Sequence, residues 1–177
     1  ELLLKKNKGK TTGWIGYTLS KTTKYFDDVN EGIAFPAKYD RRHDLSITAT
    51  HKLSKKWTLS SVFVYATGNA ITLPTERYMV GGNIYTEYTS RNGFRMEPYH
   101  RLDIGATYTP KKRKNYQSSW NFSIYNVYSR KNPYFIYFDL ETPEGENGNI
   151  QDGNLTPKAY QVSIFPILPS ITWNFNF

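Results

Sequence analysis

The amino-acid sequence predicts an all-β chain: an antiparallel meander of about seven strands with one apolar and one polar face. Three observations point there. Apolar and small polar residues alternate with period two in segment after segment, the spacing of a pleated strand. Proline, which cannot donate to a ladder, stays out of the cleanly alternating segments, and only Pro166 and Pro169 interrupt a possible strand. The connections alternate strictly between short and long.

In chain order, residues 1 to 5 read as the tail of a strand. Residues 12 to 20 place Ile15, Tyr17 and Leu19 on one face. At 44 to 50, Leu45, Ile47 and Ala49 alternate with Asp44, Ser46, Thr48 and Thr50. Residues 57 to 66 place Trp57, Leu59, Phe63 and Tyr65 on one face. At 101 to 109, Leu102, Ile104, Ala106 and Tyr108 alternate with Arg101, Asp103, Gly105, Thr107 and Thr109. At 119 to 124, Trp120, Phe122 and Ile124 alternate with Ser119, Asn121 and Ser123. The last eight residues set Ile171, Trp173, Phe175 and Phe177 against Ser170, Thr172, Asn174 and Asn176. Short turns are expected at 6 to 11, 53 to 56 and 110 to 117, and long loops at 21 to 42, 67 to 98 and 130 to 158. No segment reads as a helix.

Composition narrows the function classes. With 177 residues, 38% hydrophobic and 16% aromatic content, the chain can bury enough apolar surface to escape disorder. Zero cysteines exclude disulfide scaffolds, thiolate zinc sites and thiol catalysis. Apolar runs such as Leu2 to Leu4 and Ile164 to Leu168 fall far short of the ~20 residues of a spanning helix. The chain starts inside what reads as structure, so processing or truncation is expected to precede Glu1.

The formal charge of +8 is a property of three turns. Lys5, Lys6, Lys8 and Lys10 form one cluster, Lys52, Lys55 and Lys56 a second, and Lys111, Lys112, Arg113 and Lys114 a third. Without these 11 residues the chain holds 12 basic against 15 acidic residues. A nucleic-acid-binding β-domain would instead line one face with its basic residues.

A meander with short turns at one end and long loops at the other is the organisation of an outer-membrane β-barrel, with a polar face toward a watery lumen and an apolar face toward lipid. Periodicity alone also fits a soluble sandwich with one wet face. Trp57, Tyr108, Trp120 and Phe177 favour the membrane: they share the apolar face next to a basic turn or the C-terminus, where an interfacial aromatic belt belongs. Lysines in the turns would meet anionic headgroups. With a periplasmic C-terminus, every short turn falls in the periplasm and every long loop outside.

No catalytic constellation is present. His43, His51 and His100 are separated by strands, and no His-Glu-x-x-His, Gly-x-Ser-x-Gly or phosphate-cradling loop occurs. His43 beside Asp44, and His100 beside Arg101 and Asp103, are expected at strand mouths, hydrogen-bonded across the lumen wall. Asp27, Asp28, Asn30 and Glu31, or the acidic segment from Asp139 to Asp152, lack EF-hand spacing and read as solvated loop. No metal or cofactor is expected. Candidate ligand contacts lie in the second long loop: Arg77, Tyr78, Tyr85, Glu87, Tyr88, Arg91, Asn92 and Arg95, which offer aromatic platforms and charged hydrogen-bonding groups.

The run Trp120-Asn121-Phe122-Ser123-Ile124-Tyr125-Asn126-Val127-Tyr128-Ser129-Arg130-Lys131-Asn132-Pro133-Tyr134 and the segment from Ala159 to Phe175 resemble the closing strands of TonB-dependent receptors of the Bacteroidetes type. So do Gly13-Trp14-Ile15-Gly16-Tyr17-Thr18-Leu19-Ser20, Tyr39-Asp40-Arg41-Arg42-His43-Asp44-Leu45, Tyr65-Ala66-Thr67-Gly68 and Tyr99-His100-Arg101-Leu102-Asp103. Trp173, Phe175 and Phe177 resemble the aromatic-ended signal read by the barrel assembly machinery, with Thr172 in place of its usual glycine. The resemblance implies that residues 1 to 177 are the C-terminal part of a 22-stranded transmembrane barrel, without the plug domain and the N-terminal strands. It implies a role in active uptake of a nutrient (an oligosaccharide, a peptide or a metal chelate) in the bacterial outer membrane, with no enzymatic activity. The partners it implies are the remaining strands and plug of the same receptor, the lipid bilayer, the assembly machinery and a surface-exposed substrate-binding lipoprotein. TonB would be reached only through missing segments. A small structural or adhesive outer-membrane barrel is the alternative. An open seven-stranded sheet would leave two unpaired edges that hydrocarbon cannot satisfy.

Overall fold

A computed structural model describes residues 1–81, 83–88, 90–111, 116–141 and 156–176. Phe177, the basic residues Lys112, Arg113 and Lys114, and the acidic segment beyond 141 up to Asp152 lie outside the described residues.

The chain forms β1 (Leu2–Lys6), β2 (Thr11–Leu19), β3 (Thr23–Lys24), β4 (Phe35–Pro36), β5 (His43–Lys52), β6 (Trp57–Ala66), β7 (Ala70–Ile71), β8 (Pro74–Val80), β9 (Asn83–Tyr88), β10 (Phe94–Arg95), β11 (Tyr99–Tyr108), β12 (Gln117–Tyr125), β13 (Pro133–Glu141), β14 (Thr156–Ser163) and β15 (Leu168–Asn176). A single turn of 3-10 helix, Asn30–Gly32, interrupts them. Among the described residues no helix is long and apolar enough to cross a membrane.

Seven strands make one antiparallel sheet in the order β1-β2-β5-β6-β11-β12-β15. They are the seven expected from the alternation, each displaced at its ends by no more than about two residues, as hydrogen-bond boundaries normally are. Sequence neighbours in the meander are neighbours in space, so each short turn closes a hairpin. The long loops are not irregular throughout. The first carries the pair β3–β4, the second the pairs β7–β10 and β8–β9, and the third the pair β13–β14. Pro169 sits inside β15, opposite Ile124, a position open to proline because β15 is an edge strand.

Register fixes what shares a face, since directly paired residues point the same way. Ile15, Ile47, Phe63 and Leu102 form one row across four strands. Leu59, Ala106, Phe122 and Ile171 form another, and Trp57, Tyr108, Trp120 and Trp173 a third. The opposite face carries Thr48, Ser60, Gly105, Ser123 and Ser170, with Asn121 donating to Thr107 Oγ1 at 2.9 Å.

Nothing among the described residues covers the apolar face. Ile104 is 41% exposed, Phe122 40%, Trp173 52% and Ile171 68%, values far above those of a sandwich core. The buried apolar residues lie instead at the long-loop end: Phe35, Ala37, Ala66, Ala70 and Met96.

Candidate functional site at the long-loop end

The first two long loops are knitted together around one carboxylate. Asp40, 2% exposed, accepts the backbone N–H of Thr22 at 2.5 Å and pairs with the guanidinium of Arg95, 55 residues away. Arg95 also donates to the carbonyls of Asp40 and Gly68, the latter at 3.2 Å. A backbone bond from Ala70 N–H to the Lys38 carbonyl ties the two loops together, and one from Met96 N–H to the Asn69 carbonyl closes the second loop on itself. Glycine is required at 68, because a Cβ there would stand 1.8 Å from the Met96 carbonyl oxygen.

The Asp40 carboxyl has a lowered pKa. Burial pushes it upward, but the Thr22 N–H and the charge and hydrogen bond of Arg95 outweigh that and hold it below 3.8. A depressed folded value means that the lock contributes fully above the unfolded value and is lost as pH falls through the folded one. Hydrogen-exchange protection of residues 69–96 is therefore expected to stay flat from neutral pH to about pH 4 and to collapse only below it. Collapse near pH 6 would show that a histidine, not Asp40, controls the loops.

Of the eight sequence-predicted contacts, Arg95 spends its donors on this lock. Asn92, with φ +54, donates from Nδ2 to the Pro36 carbonyl at 2.8 Å and from its backbone N–H to Thr72 Oγ1 at 2.9 Å. Arg91 lies over the Phe35 ring at 5.4 Å from the centroid, and its N–H reaches Asn30 Oδ1. The other five belong to the β8–β9 hairpin, where Tyr78 pairs with Tyr85 and Arg77 with Thr86 in register. Tyr85, Glu87 and Tyr88 are exposed there. The eight therefore divide into an inner group of three that packs the loops and an outer group of five carried on one hairpin.

On the polar face, directly below these loops, a second network joins β11 and β12. Arg101 Nη1 donates to Tyr125 OH at 2.6 Å and Tyr99 OH at 2.9 Å, its plane covers the Tyr125 ring at 4.1 Å, and its Nε stands 3.0 Å from Asp103 Oδ2. Asp103 Oδ1 accepts the N–H of Asn126, a fully buried residue whose side chain bonds Arg130 and Phe165. Asn132 continues the ladder by bonding both backbone groups of His100 with its side chain. Sequence reasoning missed Asp40, Asn126 and Asn132. The positive φ of Asn126 has a weak sequence signal, since Asn tolerates that region.

The histidines expected across the lumen wall lie on the apolar face. His43 Nδ1 is 2.8 Å from Tyr17 OH, and His100 Nδ1 is 2.8 Å from Tyr128 OH. Tyr65 stacks on His100 with centroids 6.5 Å apart. The physical reason is the pleat: each histidine is two residues before an apolar one, Leu45 or Leu102, and so shares its face. These rings make an aromatic belt at the long-loop end. Of the four aromatic residues expected at the short-turn end, Trp57, Tyr108 and Trp120 share one face and Phe177 lies outside the described residues; the rings cluster there, with Trp57 and Tyr108 at 4.9 Å, Trp120 and Trp173 at 5.6 Å and Trp173 and Phe175 at 4.7 Å.

Among the described residues no group of three or more His, Asp and Glu is arranged to hold a metal ion. No family model matches the chain, and neither a curated protein nor a solved structure matches it.

Proposed function

We propose that the chain is the C-terminal barrel portion of a TonB-dependent transporter of the bacterial outer membrane, taking up a nutrient such as an oligosaccharide, a peptide or a metal chelate. The observation that carries the membrane part of this reading is the uncovered apolar face bounded by two aromatic belts. Trp57 and Tyr65 stand eight residues apart on β6, about 26 Å along the strand and about 20 Å after a tilt of about 40°, close to the ~25 Å apolar band of such barrels. Tyr and Trp rings with one polar atom suit both edges of that band. The transporter part is supported by the resemblance of the strand motifs. In this reading the polar face lines the lumen, the knitted loops narrow its outer mouth, and the β8–β9 hairpin presents Tyr85, Glu87 and Tyr88 to the medium.

Because residues 1–177 hold no cysteine, single cysteines placed here give a direct test in a full-length parent whose other segments are made cysteine-free. Tyr85→Cys is expected to react with a membrane-impermeant maleimide on intact cells, whereas Lys55→Cys should react only after the outer membrane is opened. Equal labelling of the two in intact cells, or recovery of the protein in the soluble fraction, would overturn the proposal.

A further inference from the structure

Strands β12 and β15 continue into the third long loop through a joint. β12 pairs with β15 as far as Tyr125 and Leu168, and β13 pairs with β14 from Pro133 and Ser163 onward. Between these two ladders, residues 126–132 on one arm face the shorter stretch 164–167 on the other, so the arms cannot pair evenly and the backbone turns aside. Asn126, Ser129 and Phe165 take φ of 54, 52 and 57 there. Asn126 bolts the arms together: Nδ2 donates to the Arg130 carbonyl at 2.9 Å and the Phe165 carbonyl at 3.3 Å, and Oδ1 accepts the Arg130 N–H at 3.1 Å.

Beside the joint lies a cavity of about 300 Å³, lined by Arg130, Lys131, Gln161, Ser163, Ile164 and Pro166. Its charge is of one sign. Residues 126–138 and 157–171 contain no Asp or Glu, and none of the ion pairs among the described residues involves Arg130 or Lys131. Asp103, which reaches the joint through the Asn126 N–H, is paired with Arg101. The half-buried Arg130 is held in place by a bond from Nη2 to the Pro98 carbonyl at 3.0 Å. Gln161 Nε2 donates to the Lys131 carbonyl and to Ser163 Oγ, both at 3.1 Å, which fixes the Lys131 backbone and leaves the Ser163 hydroxyl hydrogen to donate elsewhere.

Two cations brought into one partly enclosed cavity without a counter-ion repel each other and lose solvation, and an anion between them relieves both costs. The flat fork of a guanidinium matches the two oxygens of a carboxylate. Ile164 and Pro166 supply an apolar wall, which an aliphatic stem covers and a phosphate does not. We infer that this cavity binds the carboxylate of an aliphatic organic acid between Arg130 and Lys131, with the Ser163 hydroxyl donating to it and the stem against Ile164 and Pro166. The inference goes beyond the transporter reading, because the cavity belongs to the long-loop end and does not depend on what covers the apolar face.

The test uses purified full-length protein from whichever cell fraction holds it. Amine-reactive labelling of Lys131 is read by peptide mass spectrometry in butyrate, acetate or inorganic phosphate, against chloride at the same ionic strength. Lys38, exposed in the first long loop, serves as the reference lysine. Butyrate is expected to protect Lys131 at about fivefold lower concentration than acetate, through two further methylenes partly removed from water. Phosphate should protect more weakly than butyrate. Arg130→Gln should abolish protection. Ile164→Ser should keep the effect of acetate and remove the advantage of butyrate, a selective loss that a disrupted joint cannot produce. Equal protection of Lys131 and Lys38, phosphate matching butyrate, or undiminished protection in Arg130→Gln overturns the site. Protected Lys131 in a protein recovered from the soluble fraction would sink the membrane reading and keep this one, whereas an unprotected Lys131 in a membrane-inserted protein would do the reverse.

Discussion

Ile47→Arg is expected to abolish recovery of folded, heat-modifiable protein from outer membranes, while Thr48→Arg, one residue further on, leaves it nearly unchanged. Ile47 lies between Ile15 and Phe63 on the apolar face, near the middle of β5. Thr48 lies between Trp14 and Val62 on the other. An arginine held against acyl chains at the midplane costs about 2–4 kcal/mol, whereas one that faces water costs well under about 1 kcal/mol. Urea titration of the full-length protein folded into phosphatidylcholine vesicles measures the difference. The reverse ranking, with Thr48→Arg the more damaging, would mean that protein rather than lipid covers the apolar side.

The second large effect belongs to the loop lock. Arg95→Ala leaves Asp40 buried without its guanidinium, and removal of one partner of a buried pair costs about 3–5 kcal/mol. Arg95 is one-third exposed, which places the expected loss nearer 3 kcal/mol. Because the pair joins the loops and not the strands, the cost falls on loop closure. In outer-membrane preparations of the full-length protein, trypsin is expected to cut this variant at Lys38 and Arg91 far faster than wild type, while the barrel still migrates as folded. Asp40→Asn, which keeps an acceptor for the Thr22 N–H, should be milder. Cleavage of Arg95→Ala at the wild-type rate would show that the other hydrogen bonds between the loops, from Ala70, Arg91 and Asn92, suffice without the ion pair.

The main sheet was legible because its apolar residues gather on one face, and that division prints a period of two on the sequence. Leu45, Ile47 and Ala49 show the signal at its clearest. The loop hairpins lack that asymmetry. Tyr85, Glu87 and Tyr88 are all exposed on β9, so no apolar set marks a face and the segment reads as loop. The Asp40 to Arg95 contact spans 55 residues, and no local pattern announces a pairing at that range. Asn126 and Asn132 were hidden for another reason: their side chains stand in for backbone partners, a role that any polar loop residue has the atoms to fill. Arg91, Asn92 and Arg95 were picked out with the hairpin residues by composition, which does not distinguish a side chain that packs a loop from one that projects from it.

The sheet order carries one more consequence. Counting from β1, successive members run down and up in turn, so β1 and β15 both travel from the long-loop end toward the short-turn end. Two margins with the same heading cannot zip to each other in an antiparallel cylinder, and two copies set side by side in one orientation meet the same mismatch. Under the proposed barrel, closure would take an odd tally of β-segments, starting upward against β15 and finishing upward against β1.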